Sequence, residues 1–321
     1  MGESILSRWT AARAFSAFVS ARSALDALIE MTAPPKIWLP AYICEGLIAD
    51  TWRARVRYYP LDAFEPDVAH LDRAACGGDM VLAVDFFGFP PAAEFLRFVR
   101  RRADLRFIDN RAQALDPGIE PWADWTLYSP RKLVGVADGG ILVAERPGRD
   151  VPQPSERPDA IALWTAPILR YEDRTEAHNQ VWHEAHQAKK AWMQADRGAM
   201  TRLSSWILSH TSIEPLAEQR RRNWHVLQSY LGRWLAHNGN PAAAPFGYLI
   251  KVPSDRRPGI LAGLYTDRIF AAVHYPSLPS PPEEFPAEHE LRRRVITLPC
   301  DHRYDEDTMR VVAKRVLTLV A

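Results

Sequence analysis

Short apolar runs alternate with amphipathic stretches along the first half of the chain. Residues 23–30 set Leu25, Leu28 and Ile29 at helical spacing and predict a helix; residues 46–53 predict a second, and residues 92–102 a third with a basic tail. Between them, residues 37–39, 56–59, 80–84, 105–108 and 140–144 are apolar runs of strand length. Strands and helices alternating at this spacing predict crossover units and a largely parallel sheet. Ligands of such sheets gather at the carboxyl ends of the strands, and Tyr42, Asp85, Asp109 and Lys132 all fall there.

The second half reads differently. Residues 146–158 are rich in proline and charge and predict a surface connection, and residues 159–206 are helical in character. Pro215 is expected to break that helical stretch, and residues 216–235 to form a long amphipathic helix. Beyond Asn238-Gly239-Asn240-Pro241 a smaller unit is expected, with strands at 248–252, 269–273 and 295–298, a proline-rich loop at 276–286 and a closing helix at 306–320. This divides the chain into a large domain, residues 1–215, and a small C-terminal α/β domain, residues 216–321.

Composition narrows the function classes. With 321 residues and 47% apolar content the chain can bury a large core. Its net charge is +1, from 40 basic and 39 acidic residues, so no field favours nucleic acid or an anionic membrane. Cys44, Cys76 and Cys300 are too scattered for a metal motif or a disulfide framework, which suits a reducing cytoplasm. No apolar run approaches the roughly 18 residues of a membrane span, and Arg13 and Ser16 interrupt any secretory core. His178, His183, Glu184 and His186 lack the His-Glu-x-x-His arrangement, so a solvated helix is expected there and no metal. The arginine triplets beginning at Arg100, Arg220 and Arg292 read as solvated helix faces.

The candidate chemistry lies in residues 128–140, where Lys132 follows the polar turn Ser129-Pro130-Arg131 and precedes Asp138-Gly139-Gly140. A lysine so placed can hold an aldehyde cofactor as a Schiff base, and Asp109 to Ala114 would set polar groups along that cofactor's ring. Ser129 offers a hydroxyl to a dianion, and Arg22 and Ser23 open a helix whose free N–H groups favour phosphate. Each has a plainer reading: Lys132 as a surface lysine, Gln113 as a loop amide, Arg22 and Ser23 as an ordinary capped helix start. Tyr42, Phe86 and Phe87 either stack on a ring or fill the core. His274-Tyr275 and His302-Arg303 either touch substrate or pack the small domain.

These segments resemble the DegT/StrS-type sugar aminotransferases, pyridoxal phosphate enzymes of fold type I. Asp109-Asn110-Arg111-Ala112-Gln113-Ala114 resembles the family's Glu-Asp-x-Ala-Gln-Ala, and Lys132 to Gly140 its lysine and Gly-Gly. Ser20 to Leu25, Leu39-Pro40-Ala41-Tyr42, Val84 to Pro90 and Ile296 to Cys300 are similar to further family segments. The resemblance implies a homodimer that transfers an amino group from glutamate or glutamine to a keto-sugar carried on a nucleotide. It makes Lys132 the Schiff-base lysine, Gln113 the partner of the cofactor's phenolic oxygen, and Arg22, Ser23, Tyr42, Phe87 and Ser129 cofactor contacts. One departure stands out: where the family has the aspartate that protonates the pyridine nitrogen, this chain has Asn110. Either Asp109 takes over through an irregular strand end, or the ring is a weaker electron sink. The second option favours a lyase, aldolase or dehydratase on the same scaffold; a non-catalytic binding subunit is a third reading.

Overall fold

Ser20 decides where the first long helix begins. Its hydroxyl accepts the backbone N–H of Ser23 at 3.1 Å, capping the helix Ala21–Thr32, which ends where Ala33 turns left-handed. Leu25, Leu28 and Ile29 form its buried stripe, as their spacing predicts. The computed structural model describes residues 2–156, 161–173, 179–195, 197–237 and 242–320. The turn expected at residues 238–241 and His178 lie outside them.

The fold is mixed α/β, and its chain contacts group into two units, each discontinuous in sequence: Met1–Ala33 with Asp124–Ser212, and Pro34–Ala123 with Ile213–Ala321. In the first unit, strand Gly140–Ala144 pairs antiparallel with Phe15–Phe18 on one side and Trp125–Tyr128 on the other. Neither flanking strand was expected; each mixes aromatic and hydroxyl residues, and strand preference of that kind emerges only beside a partner. Gly140 has no room for a side chain, because a Cβ there would coincide with the backbone of Ser20 and Ala21. Strand and helix start can therefore touch backbone to backbone. Helices Ile161–Glu172, Asn179–Ala195 and Arg202–His210 complete the unit.

The second unit holds a parallel ladder in the order Arg106–Arg111, Met80–Val84, Ile37–Pro40, Val56–Tyr59. One face buries Val81, Ala83, Leu105 and Phe107 against Phe95, Phe98 and Val99 of the helix Ala93–Arg101. Parallel strands are the larger share of the sheet, as the alternation of elements predicts. The C-terminal part builds a separate core from the antiparallel pair Gly247–Lys251 and Val295–Pro299 and the helices Ile213–Leu231, Arg257–Thr266 and Glu306–Val320.

Several local expectations fail for identifiable reasons. Residues 46–53 form no α-helix; only the 3-10 turns Glu45–Leu47 and Arg53–Arg55 appear, and Cys44 and Trp52 supply no side-chain cap. Of residues 269–273, only Ala272 pairs, as an isolated bridge to Thr297. Pro215 does not break a helix but sits in the first turn of Ile213–Leu231, where its missing N–H would have no intrahelical acceptor. Arg220 is buried and donates to the Pro245 carbonyl at 3.2 Å, so the triplet it opens is no fully solvated face.

Replacing Gly140 with alanine should destabilise the protein by roughly 3 kcal/mol or more, because backbone must move to admit the Cβ. Urea denaturation checks this; an unchanged midpoint would contradict the backbone contact at Ser20.

Candidate active site

The first unit gathers Arg22, Ser23, Ser129 and Lys132 around two backbone features. Strand Trp125–Tyr128 runs into buried Ser129, whose carbonyl accepts the Lys132 N–H at 3.1 Å to close the 3-10 turn Pro130–Lys132. That turn presents the Lys132 side chain on an exposed residue. At the start of the Ala21–Thr32 helix, the Ser23 hydroxyl lies 2.7 Å from that of Ser20, and Ser20 bridges to Gly139. The glycine pair thus fastens the end of the lysine loop to the phosphate-suited helix start.

Asp138 explains the acidic residue before those glycines. Fully buried, it accepts the Thr201 N–H at 2.7 Å, the Thr201 hydroxyl at 2.8 Å and the Ser204 hydroxyl, tying the loop to the start of the helix Arg202–His210. Arg131 and Lys189 are the neighbours that sequence reasoning missed. Arg131 makes no hydrogen bond or ion pair among the described residues, and burial lowers its pKa, with Arg22 adding repulsion and Asp138 opposing. Lys189 is buried and donates to the Ala137 carbonyl at 3.1 Å; burial and the charge of Arg131 push its amine down. Position 131 was visible beside Lys132, whereas nothing in the sequence ties Lys189, far along the chain, to this turn.

In the second unit, Tyr42, Phe87, Asp109, Asn110 and Gln113 are all buried. Gln113 orients the aromatic cluster: its Oε1 accepts the Phe87 N–H at 2.9 Å, and its Nε2 lies 3.3 Å from the Tyr275 hydroxyl. Phe87 and Gly88 both have positive φ, and a Cβ on Gly88 would lie 2.7 Å from the Ala244 carbonyl oxygen. Tyr42 rests 5.7 Å from the Tyr275 ring and 6.1 Å from Phe86, and its hydroxyl donates to the His274 carbonyl. Burial pushes both tyrosine hydroxyls far above their ordinary range, so both are neutral donors.

Strand Arg106–Arg111 runs past the expected end at residue 108, and its ladder stays regular, with Ala83 opposite Asp109 and Val84 opposite Asn110. Pleating therefore turns Asp109 and Arg111 to one face and Asn110 to the other. Arg111 Nε donates to Asp109 Oδ2 at 2.7 Å and lies 3.6 Å from Asp85 Oδ2. Burial raises both carboxyl pKa values; for Asp85 the adjacent Asp109 charge adds to the rise, while Arg111 opposes it. The guanidinium lies nearer Asp109, so Asp85 is the carboxyl pushed further up. On the other face, Asn110 Oδ1 accepts the Ala112 N–H at 3.1 Å.

Among the described residues, no group of three His, Cys, Asp or Glu side chains could hold a metal ion, and no helix is long and apolar enough to cross a membrane. No protein-family model matches the chain, and no curated protein matches it. Solved structures do. NtdA from Bacillus subtilis, with bound cofactor PMP, superposes with a TM-score of 0.69 at 15% identity, over 98% of this chain and 75% of that one. A DegT/DnrJ/EryC1/StrS aminotransferase from Brucella abortus gives 0.66 at 15%, over 98% and 88%. DesI, in the presence of its TDP-sugar product, gives 0.64 at 16%, over 98% and 82%. The chain has the fold of these aminotransferases.

Asp85→Asn should make the protein more stable at neutral pH, by on the order of 1–3 kcal/mol. A carboxyl whose folded pKa is raised favours folding fully below the ordinary carboxylate range, and that contribution is lost as pH rises toward the folded value. The variant should lose less stability than the parent between about pH 4 and pH 7. Parallel stability profiles, followed by chemical denaturation, would contradict a protonated Asp85.

Proposed function

We propose that this chain is a pyridoxal phosphate enzyme of the sugar aminotransferase kind, moving an amino group from glutamate or glutamine to a keto-sugar, with a nucleotide-linked sugar as acceptor. The observation that carries the reading is the built lysine turn: Lys132 exposed after Ser129, with Gly139-Gly140 seated on a capped helix start. The fold shared with NtdA and DesI, one solved with PMP and the other with a TDP-sugar, supports the class of cofactor and acceptor.

The residues present fit such a cofactor. Arg131 Nε is buried without a hydrogen-bond partner among the described residues, and only Asp138 offsets the charges of Arg131 and Arg22 there. Ser129, Ser23, Arg22 and Arg131 would hold the phosphate, through hydroxyls and cationic side chains beside the positive end of a helix. Gln113, whose Oε1 is already committed to Phe87, offers an Nε2 hydrogen to a phenolic oxygen. Phe87 and Tyr42 would flank the ring, and Asp109 or Asn110 meets its nitrogen. When bound, the cofactor supplies an aldehyde for covalent attachment and a conjugated ring that spreads negative charge. Lys132 Nζ would hold the cofactor covalently and would carry the proton taken from the substrate α-carbon.

In this reading residues 1–215 bind the cofactor, residues 216–321 form the smaller domain, and the enzyme is a cytoplasmic homodimer. Asn110 gives one specific reason to keep a second chemistry, a lyase, aldolase or dehydratase on the same scaffold, because an amide supplies no charge to the ring.

Intact-mass analysis after pyridoxal phosphate loading and borohydride reduction tests the site. The parent should gain one cofactor adduct and Lys132→Ala should gain none while keeping its fold by circular dichroism. An adduct retained in the variant would move the attachment to Lys36, Lys189, Lys190, Lys251 or Lys314.

A further inference from the structure

Asn110 sits in the ladder with its amide orientation fixed. Its Oδ1 is committed to the Ala112 N–H, a contact in which only the oxygen can be the acceptor, so the NH2 group points the other way. Asn110 is 5% exposed, and among the described residues its Oδ1 has the Ala112 partner while its NH2 has none. An amide donor with no protein partner takes its acceptor from water or from a ligand. The neighbouring carboxylates are turned elsewhere: regular pleating puts Asp109 on the opposite face, where Arg111 binds it and Asp85 lies beside it. No irregular strand end is present to bring Asp109 round.

We infer that Asn110 donates Nδ2–H to the cofactor's ring nitrogen and so holds that nitrogen unprotonated. The inference rests on the pyridoxal phosphate reading above and specifies one contact within it. A pyridinium N–H⁺ would face the amide's own N–H hydrogens, donor against donor, whereas a neutral ring nitrogen offers the lone pair that the amide lacks. Gln113 complements this on the same segment: its Oε1 accepts from Phe87 and one Nε2 hydrogen goes to the Tyr275 hydroxyl, which leaves one donor hydrogen. Two amide donors, three positions apart on either side of Arg111 and Ala112, suit a ligand ring bearing two acceptors. The asparagine thus sets the electronic state of the ring, and Asp85 and Asp109 do not.

The test is the ¹⁵N NMR shift of the ring nitrogen in the parent protein loaded with ring-¹⁵N pyridoxal phosphate. It should lie in the neutral-pyridine range and stay there in Asp109→Asn and Asp85→Asn. In Asn110→Asp, where a carboxylate can accept the ring N–H⁺, it should move to the pyridinium range. A pyridinium shift in the parent overturns the inference while leaving the cofactor reading intact, and its loss in Asp109→Asn would assign the contact to Asp109. Should Asn110→Asp fail to fold, the parent spectrum alone decides. Absence of saturable cofactor uptake by the folded parent overturns both readings together.

Discussion

The regular pairing of Arg106–Arg111 with Met80–Val84 is the constraint from which the second unit's chemistry follows. Because neighbouring residues on a pleated strand face opposite ways, the ladder separates Asp109 and Arg111 from Asn110 before any ligand is considered. On one side the result is a charge-compensated cluster, with one guanidinium serving two buried carboxyls. Burial makes that arrangement stiff, since removing the guanidinium would leave uncompensated charge in a dry environment. On the other side it leaves a neutral amide whose oxygen accepts from Ala112 and whose hydrogens have no acceptor among the described residues. Just beyond the strand, Gln113 takes the Phe87 N–H and so fixes the left-handed Phe87-Gly88 turn that carries the aromatic cluster.

The first unit depends on a close approach of backbones. Gly140 lets a strand touch the start of the Ala21–Thr32 helix, and Asp138 locks the preceding loop by accepting from Thr201 and Ser204. Strand Trp125–Tyr128 before it and Asp138 after it bound the segment whose turn presents Lys132. The anionic Asp138 also sits among Arg131, Arg22 and Lys189, where it offsets part of a cationic excess. A dianionic phosphate suits that excess better than one carboxylate does.

Much of this was legible in the sequence where local pattern and tertiary demand agree. The stripe of Leu25, Leu28 and Ile29, the apolar runs at 80–84 and 140–144 and the closing helix each bury what their periodicity says they should. The lysine turn and its glycines were legible because tight backbone geometry leaves few residue choices. Strands Phe15–Phe18 and Trp125–Tyr128 were not, since their stability lies in pairing with Gly140–Ala144. The same holds for Arg220, whose burial is set by the Pro245 carbonyl, and for Lys189, which meets Ala137 only through the fold. The helix expected at residues 46–53 illustrates the converse: apolar spacing without a cap was not enough.

The two proposals pull in different directions: a Lys132 that moves protons would permit amino transfer, whereas a neutral ring beside Asn110 would slow loss of the α-proton. The account's central claim is that amino transfer nevertheless occurs. It is tested most directly by the absorbance of the cofactor-loaded protein on addition of glutamate or glutamine alone, with no acceptor present. The account predicts that one of these donors converts the visible band of the lysine-bound cofactor to the near-ultraviolet band of its amine form, with one equivalent of keto acid released. A visible band unchanged by either donor, in protein shown to be fully loaded, would contradict it.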